Sequence, residues 1–193
     1  MDAIDVAIAV SRAVESIGGS YFVGGSLASS LQGEPRATND VDIVVDVPLG
    51  RLRSLPGALG ADFEVDSDML RDAWLHGRCC NIYFLPLLTK VDLFPVGHEP
   101  FDQSEFARRA PVEVRASGEV LVLKSPEDTV LRKLLWFREG GGVSDRQWRD
   151  VVQVLRVNGS ALDSGYIDAW ARRLRIEALV ERARAAAESV LLR

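Results

Sequence analysis

The stretch that most constrains this chain is Val41 to Val47, entered through Asp40, in which β-branched residues alternate with aspartates. Alternation with a period of two marks a strand, and Pro48 and Gly50 end it. Residues i and i+2 of a strand face the same way, so Asp40 and Asp42 project from one side while Val41 and Ile43 point into a core. Just upstream, the short apolar strand Tyr21 to Val23 runs into Gly24-Gly25-Ser26, and a helix restarts over Leu27 to Leu31. A strand, a glycine turn, a helix and a second strand carrying paired carboxylates predict a mixed α+β core.

Composition permits such a core without staples. The 193 residues are 47% hydrophobic and 26% charged, and a chain of this size buries roughly 70% of its unfolded surface. Disorder, collagen and a disulfide scaffold are excluded. The net charge of −5 and a pI near 5.1 argue against a generic basic coat for nucleic acid. Up to Leu123 there are 10 Lys and Arg against 18 Asp and Glu; from Lys124 onward there are 13 against 10. Cys79 and Cys80 are adjacent, which disfavours a bridge between them. With His76 and His98 they match no zinc spacing. Met1 to Val10 carries acids and no basic residue, unlike a secretory signal. No apolar run approaches the roughly 20 residues that cross a bilayer, so the expectation is a cytoplasmic protein with no membrane partner.

The rest of the chain reads in two parts. Residues 3–17 predict an amphipathic helix stopped by Gly18-Gly19. Leu52, Leu55 and Leu59 point to a short helix, Ala61 to Val65 to a strand, and Ser67 to His76 to another helix. Cys79 to Leu85 and Lys90 to Pro95 read as strands joined at Pro86, and Val112 to Arg115 with Glu119 to Leu123 as a hairpin. After Lys124, Ser125-Pro126-Glu127-Asp128 is a helix start, with a serine cap, proline at the first position and acids against the dipole. Helices over 126–139, around Trp148 to Leu155, 163–174 and 176–192 follow. The expected architecture is a core over 1–123, a mixed sheet flanked by helices, followed by a C-terminal helical bundle over 124–193.

Two carboxylates held as close as Asp40 and Asp42 repel unless a cation neutralises them. A hard divalent ion prefers such oxygens and leaves positions for water or phosphate. Asp92, in the apolar strand Lys90-Val91-Asp92-Leu93-Phe94, is the natural third acid for phosphoryl chemistry; Asp46 and Glu64 compete with it. A calcium loop fails at Val45, where glycine is required. There is no Gly-Lys-Ser/Thr phosphate loop and no Gly-x-Gly-x-x-Gly. The bland alternative is an exposed strand with two surface aspartates beside a glycine-rich turn.

Gly25-Ser26, the helix after it, and Arg36-Ala37-Thr38-Asn39-Asp40-Val41-Asp42 resemble the nucleotidyltransferase superfamily with the DNA polymerase beta type of fold. More narrowly, they resemble bacterial nucleotidyltransferase-like proteins related to abortive-infection and toxin–antitoxin systems. Ser125 through Lys133 and Asp145-Arg146-Gln147-Trp148-Arg149-Asp150 are similar to the helical half of those proteins. The resemblance implies transfer of a nucleoside monophosphate from a nucleoside triphosphate such as ATP to an acceptor hydroxyl on RNA, protein or a small molecule. It implies Mg²⁺ or Mn²⁺ on Asp40, Asp42 and Asp92. Gly25, Ser26, Arg36, Thr38, Lys90, Lys133 and Asp150 would serve the nucleotide in a cleft between core and bundle.

Plainer readings stand beside these. Lys133 also fits a surface lysine, Arg36 a loop cap, Asp150 an exposed acid, and Trp136, Trp148 and Trp170 a helix core. Lysine is scarce throughout, and Lys124 is left open. A rival function is a partner-binding protein that keeps the fold without the activity, such as one half of a toxin–antitoxin pair.

Overall fold

The structure is a computed structural model that describes residues 1–191. The chain divides into two compact units, one of residues 1–27 with 38–124, the other of residues 28–37 with 125–193.

The first unit is built on a mixed sheet of, among the described residues, seven strands. These are β1 (Ser20–Val23), β2 (Asp40–Asp46), β3 (Phe63–Glu64), β4 (Cys80–Phe84), β5 (Thr89–Pro95), β6 (Ala110–Glu113) and β7 (Val120–Leu123), in the spatial order β3-β4-β5-β2-β1-β7-β6. β2 lies parallel to β5 and antiparallel to β1, and β1 lies parallel to β7. One face carries Val41, Ile43, Val45, Val23, Val91, Leu93, Ile82 and Leu123, all essentially inaccessible. Against this apolar face pack α1 (Ala3–Ser16), with Val6, Val10 and Val14, and α5 (Ser67–Leu75), with Leu70 and Ala73. Asp2 caps α1, accepting from the amides of Ile4 and Asp5. The single short helix expected around Leu52 to Leu59 is two, α3 (Leu49–Leu52) and α4 (Leu55–Leu59). The strand expected over Ala61 to Val65 shrinks to two residues of β3, because Gly60 and the turn at Asp62 take up its beginning.

The opposite face carries the polar alternates: Asp40, Asp42, Lys90, Asp92 and Asn81. Its β1–β7 side is covered by α6 (Pro100–Arg108), an element with no clear apolar period in the sequence. The Phe106 ring lies 5.9 Å from that of Phe22, and Glu105 of this helix is paired with Lys124.

The boundary between the units falls inside α2 (Gly25–Gln32). The second unit contains α7 (Pro126–Glu139), α8 (Asp145–Asn158), α9 (Ser164–Leu174) and α10 (Glu177–Leu191). Leu131, Leu134 and Phe137 of α7 share a core with Val151, Val154 and Leu155 of α8, Ile167 and Trp170 of α9, and Val180 and Ala183 of α10. Trp148 and Trp170 are packing residues: Phe137 lies 5.4 Å from Trp148, and Tyr166 6.3 Å from Trp170. Trp136 is exposed. Ser125 accepts from the Asp128 amide at 3.1 Å and donates to its carboxylate at 2.6 Å, while the Tyr166 hydroxyl donates to the other Asp128 oxygen. Ser125→Ala removes both cap contacts and is expected to cost about 1–2 kcal/mol in urea unfolding.

Among the described residues no helix is long and apolar enough to cross a membrane.

Candidate active site

The parallel pairing of β2 with β5 sets the geometry of the acidic face. Asp42 stands opposite Asp92, and Asp40 opposite Lys90. Residues opposite one another in register project to the same side, so these four side chains form two adjacent rows. β4 extends both rows, with Asn81 opposite Asp92 and Tyr83 opposite Lys90. β3 then places Glu64 opposite Tyr83, at the far end of the lower row. Asp46 lies at the other end of β2, opposite Ser20.

Repulsion among the carboxylates is relieved by Lys90. Its ammonium donates to Asp92 Oδ2 at 2.8 Å, and Asn81 Nδ2 donates to Asp92 Oδ1. The hydrogen bond to Asp92, followed by the charges of Asp92, Asp40 and Asp42, holds the Lys90 ammonium above the ordinary lysine range. Cys79 senses the same field. Burial above all, then the charges of Asp92 and Asp42 and the neighbouring Cys80, pushes its thiol up to about 12. Both cysteines are free and, at neutral pH, protonated.

Gly25 closes this face from above. Its φ of +55° belongs to the left-handed region, and a Cβ there would sit 1.7 Å from Asp42 Oδ2. The turn is also tied to the strand through the Gly24 amide, which donates to the Asp42 carbonyl at 2.9 Å. Ser26 follows in the first turn of α2, an eight-residue helix, and a helix N-terminus favours an anion. Thr38 fixes the entry to β2 by donating to the Asp40 carbonyl at 3.1 Å.

In the second unit, Arg36, Lys133 and Asp150 come together. Arg36 Nε and Nη2 donate to the two oxygens of Asp150 at 2.9 and 2.8 Å. Lys133 Nζ donates to Oδ2 at 2.9 Å, and Ser29 Oγ donates to the same oxygen at 3.1 Å. Burial alone would raise the Asp150 carboxyl, but Arg36 and Lys133 outweigh it and hold it below the usual carboxylate range. Lys133 is buried, unlike the plain surface lysine that its sequence context also allows. The Arg36 loop is held by Ser30, whose hydroxyl accepts from the Arg36 amide and donates to its carbonyl.

The carboxylates of Asp40, Asp42 and Asp92 are hard oxygen donors, two of them in direct register, which fits a Mg²⁺-type ion. Both Asp92 oxygens are engaged, by Lys90 and Asn81, and among the described residues no three His, Cys, Asp or Glu side chains are grouped closely enough to hold a metal. Sequence reading missed Asn81, Ser29 and the Lys124–Glu105 pair. Asn81 was within reach, because counting back from the Pro86 turn sets it opposite Asp92.

No family model matches the chain, and no curated protein matches it in sequence. Solved structures do. An antigenic nucleotidyltransferase-like protein from Paracoccidioides brasiliensis superposes with a TM-score of 0.59 at 19% identity, over 94% of this chain and 91% of that one. The chain has the nucleotidyltransferase fold. ANT(2")-Ia in complex with adenylyl-2"-tobramycin gives a TM-score of 0.52 at 14% identity, over 89% and 96% of the two chains. With the nucleotidyltransferase fold goes the architecture expected from sequence, a mixed sheet flanked by helices followed by a helical region.

Proposed function

We propose that this chain is a metal-dependent nucleotidyltransferase that moves a nucleoside monophosphate from a nucleoside triphosphate to an acceptor hydroxyl. The observation that carries this reading is the register of β2 on β5, which sets Asp42 opposite Asp92 and Asp40 opposite Lys90 beneath the Gly25 turn.

In this reading Asp40, Asp42 and Asp92 would hold Mg²⁺ or Mn²⁺, Asp92 exchanging its Lys90 and Asn81 contacts for the ion. Such an ion would supply charge neutralisation for the phosphates and a lowered pKa for the acceptor hydroxyl. The Gly25 and Ser26 amides, with the Ser26 hydroxyl, bind phosphate oxygens at the start of α2. Asp92 takes up the hydroxyl proton as the acceptor oxygen attacks the α-phosphorus and pyrophosphate leaves. Lys90 sets a positive charge against Asp92 on the acidic face. Arg36, Lys133 and Asp150, joined by hydrogen bonds within the second unit, are the further residues assigned to the nucleotide, and Thr38 fixes the entry to β2.

The experiment is equilibrium titration with ATP in Mg²⁺ and again in EDTA, for wild type and for Asp40→Asn with Asp42→Asn. Wild type is expected to bind only with the metal, and the double variant at least about tenfold more weakly, or about 1.4 kcal/mol. Equal binding by both proteins, or by neither, ends the reading. ANT(2")-Ia was captured with an adenylylated small molecule; here the acceptor class is read by incubating labelled ATP with cell extract and separating RNA, protein and small molecules.

A further inference from the structure

The chain contains 20 arginines and three lysines, Lys90, Lys124 and Lys133. Its scattered surface cations are therefore arginines, and each lysine sits on a carboxylate within the fold. Lys90 and Lys133 belong to the clusters already described. Lys124 pairs with Glu105 of α6 at 3.1 Å, and both side chains are about 95% buried.

The placement of Lys124 is what separates it from an ordinary clamp. Parallel pairing of Val23 with Leu123 brings the next residues, Gly24 and Lys124, side by side. The Lys124 amide donates to the Val23 carbonyl. Lys124 Cε lies 3.2 Å, and Nζ 3.8 Å, from the point a Cβ on Gly24 would occupy. The ammonium also lies 5.5 Å from the centre of the Phe22 ring. A buried cation therefore stands against the same glycine turn whose next residue covers Asp42.

Pinning α6 does not by itself call for such a pair. Phe106 already packs on Phe22, and the desolvation of a buried Lys–Glu pair commonly cancels its attraction, so apolar residues hold a helix equally well. Lysine presents a compact charge with three donors that two acceptors can share.

We propose that Lys124 is a further phosphate-binding residue, its ammonium held against Gly24 by Glu105 and shared with the outer phosphates of a triphosphate at the Gly24-Gly25-Ser26 turn. Glu105 is its positioning residue. This rests on the nucleotidyltransferase reading of that turn.

The test is calorimetric titration with ATP and with AMP, both in Mg²⁺, of wild type, Lys124→Met and Glu105→Gln. Lys124→Met is expected to weaken ATP about tenfold, the scale of one charge-assisted contact, while AMP changes less than about twofold. Glu105→Gln keeps an oxygen that can hold the ammonium in place while removing the competing negative charge, and is expected to keep or tighten ATP binding. Equal losses for ATP and AMP, no loss for Lys124→Met, or a loss in Glu105→Gln matching that in Lys124→Met would each reduce the pair to a clamp. If Lys124→Met does not fold, Lys124→Gln combined with Glu105→Gln makes a neutral hydrogen-bonded pair, and the same ATP-against-AMP difference decides. Wild type that binds no ATP in Mg²⁺ overturns both this assignment and the proposed function. Wild type that binds ATP, with Asp42→Asn defective and Lys124→Met normal, overturns this assignment alone.

Discussion

Alanine at position 25 is expected to weaken Mg²⁺-dependent ATP binding more than a hundredfold, the loss that a displacement of about 1 Å brings to a positioned site. The added methyl would lie 1.7 Å from Asp42 Oδ2, 2.4 Å from Cγ and 2.8 Å from Cβ. The carboxylate can rotate, but the Asp42 Cβ belongs to a strand paired on both sides, with β1 and β5. The turn must therefore lift away from β2. A second cost comes from φ of +55°, which an L-residue adopts at about 1–2 kcal/mol. The two costs separate in the Asp42→Gly background, where only the backbone cost remains. Urea unfolding should show Gly25→Ala destabilised by about 1–2 kcal/mol there and by more in the wild-type background. Equal destabilisation in both backgrounds would show that the carboxylate does not sit under the turn.

Asn at position 150 is expected to cost about 3–5 kcal/mol in unfolding free energy, the usual result of stranding buried charge. Asp150 accepts four hydrogen bonds, from Arg36 twice, Lys133 and Ser29. An amide there offers donors to donors and leaves two cations facing a neutral group. The pH dependence has a definite sign. Because the folded carboxyl lies below its ordinary range, its contribution is complete above the unfolded value near 3.9 and is lost as pH falls through the folded value. Urea midpoints of wild type and Asp150→Asn should therefore differ by a constant amount at neutral pH and converge below about pH 4. A gap that persists unchanged at lower pH would mean that the carboxylate is not what holds Arg36 and Lys133.

Several parts of this architecture were legible in the residues because their signals are local. The period of two in Asp40 to Asp46, the serine and proline that open α7, and the glycine that ends β1 each act within a few positions. α6 escaped notice because its buried positions include Glu105 as well as Phe101, and its apolar content is low. The cation that makes Glu105 tolerable there, Lys124, comes from the residue just after β7. Arg36 and Asp150 stand 114 positions apart, and each alone reads as a loop cap or an exposed acid. Only folding shows that they satisfy one another. The reach of Lys90 to Asp92 is short in sequence, two residues on one strand, yet what makes it informative is the pair of aspartates on the neighbouring strand.

The passage of the chain from one unit to the other within α2, and its return by Thr38, bears on how the protein can be dissected. A protease nick or a cloning boundary after Lys124 would release Lys133 and Asp150 on one fragment and leave Ser29 and Arg36 on the other. The carboxylate at 150 would then leave with one of its two cations, so neither excised half is a self-sufficient module. Fragments made at that junction would have to find each other again to rebuild the ionic knot, as complementing pieces of a single inheritance unit rather than as two domains fused end to end.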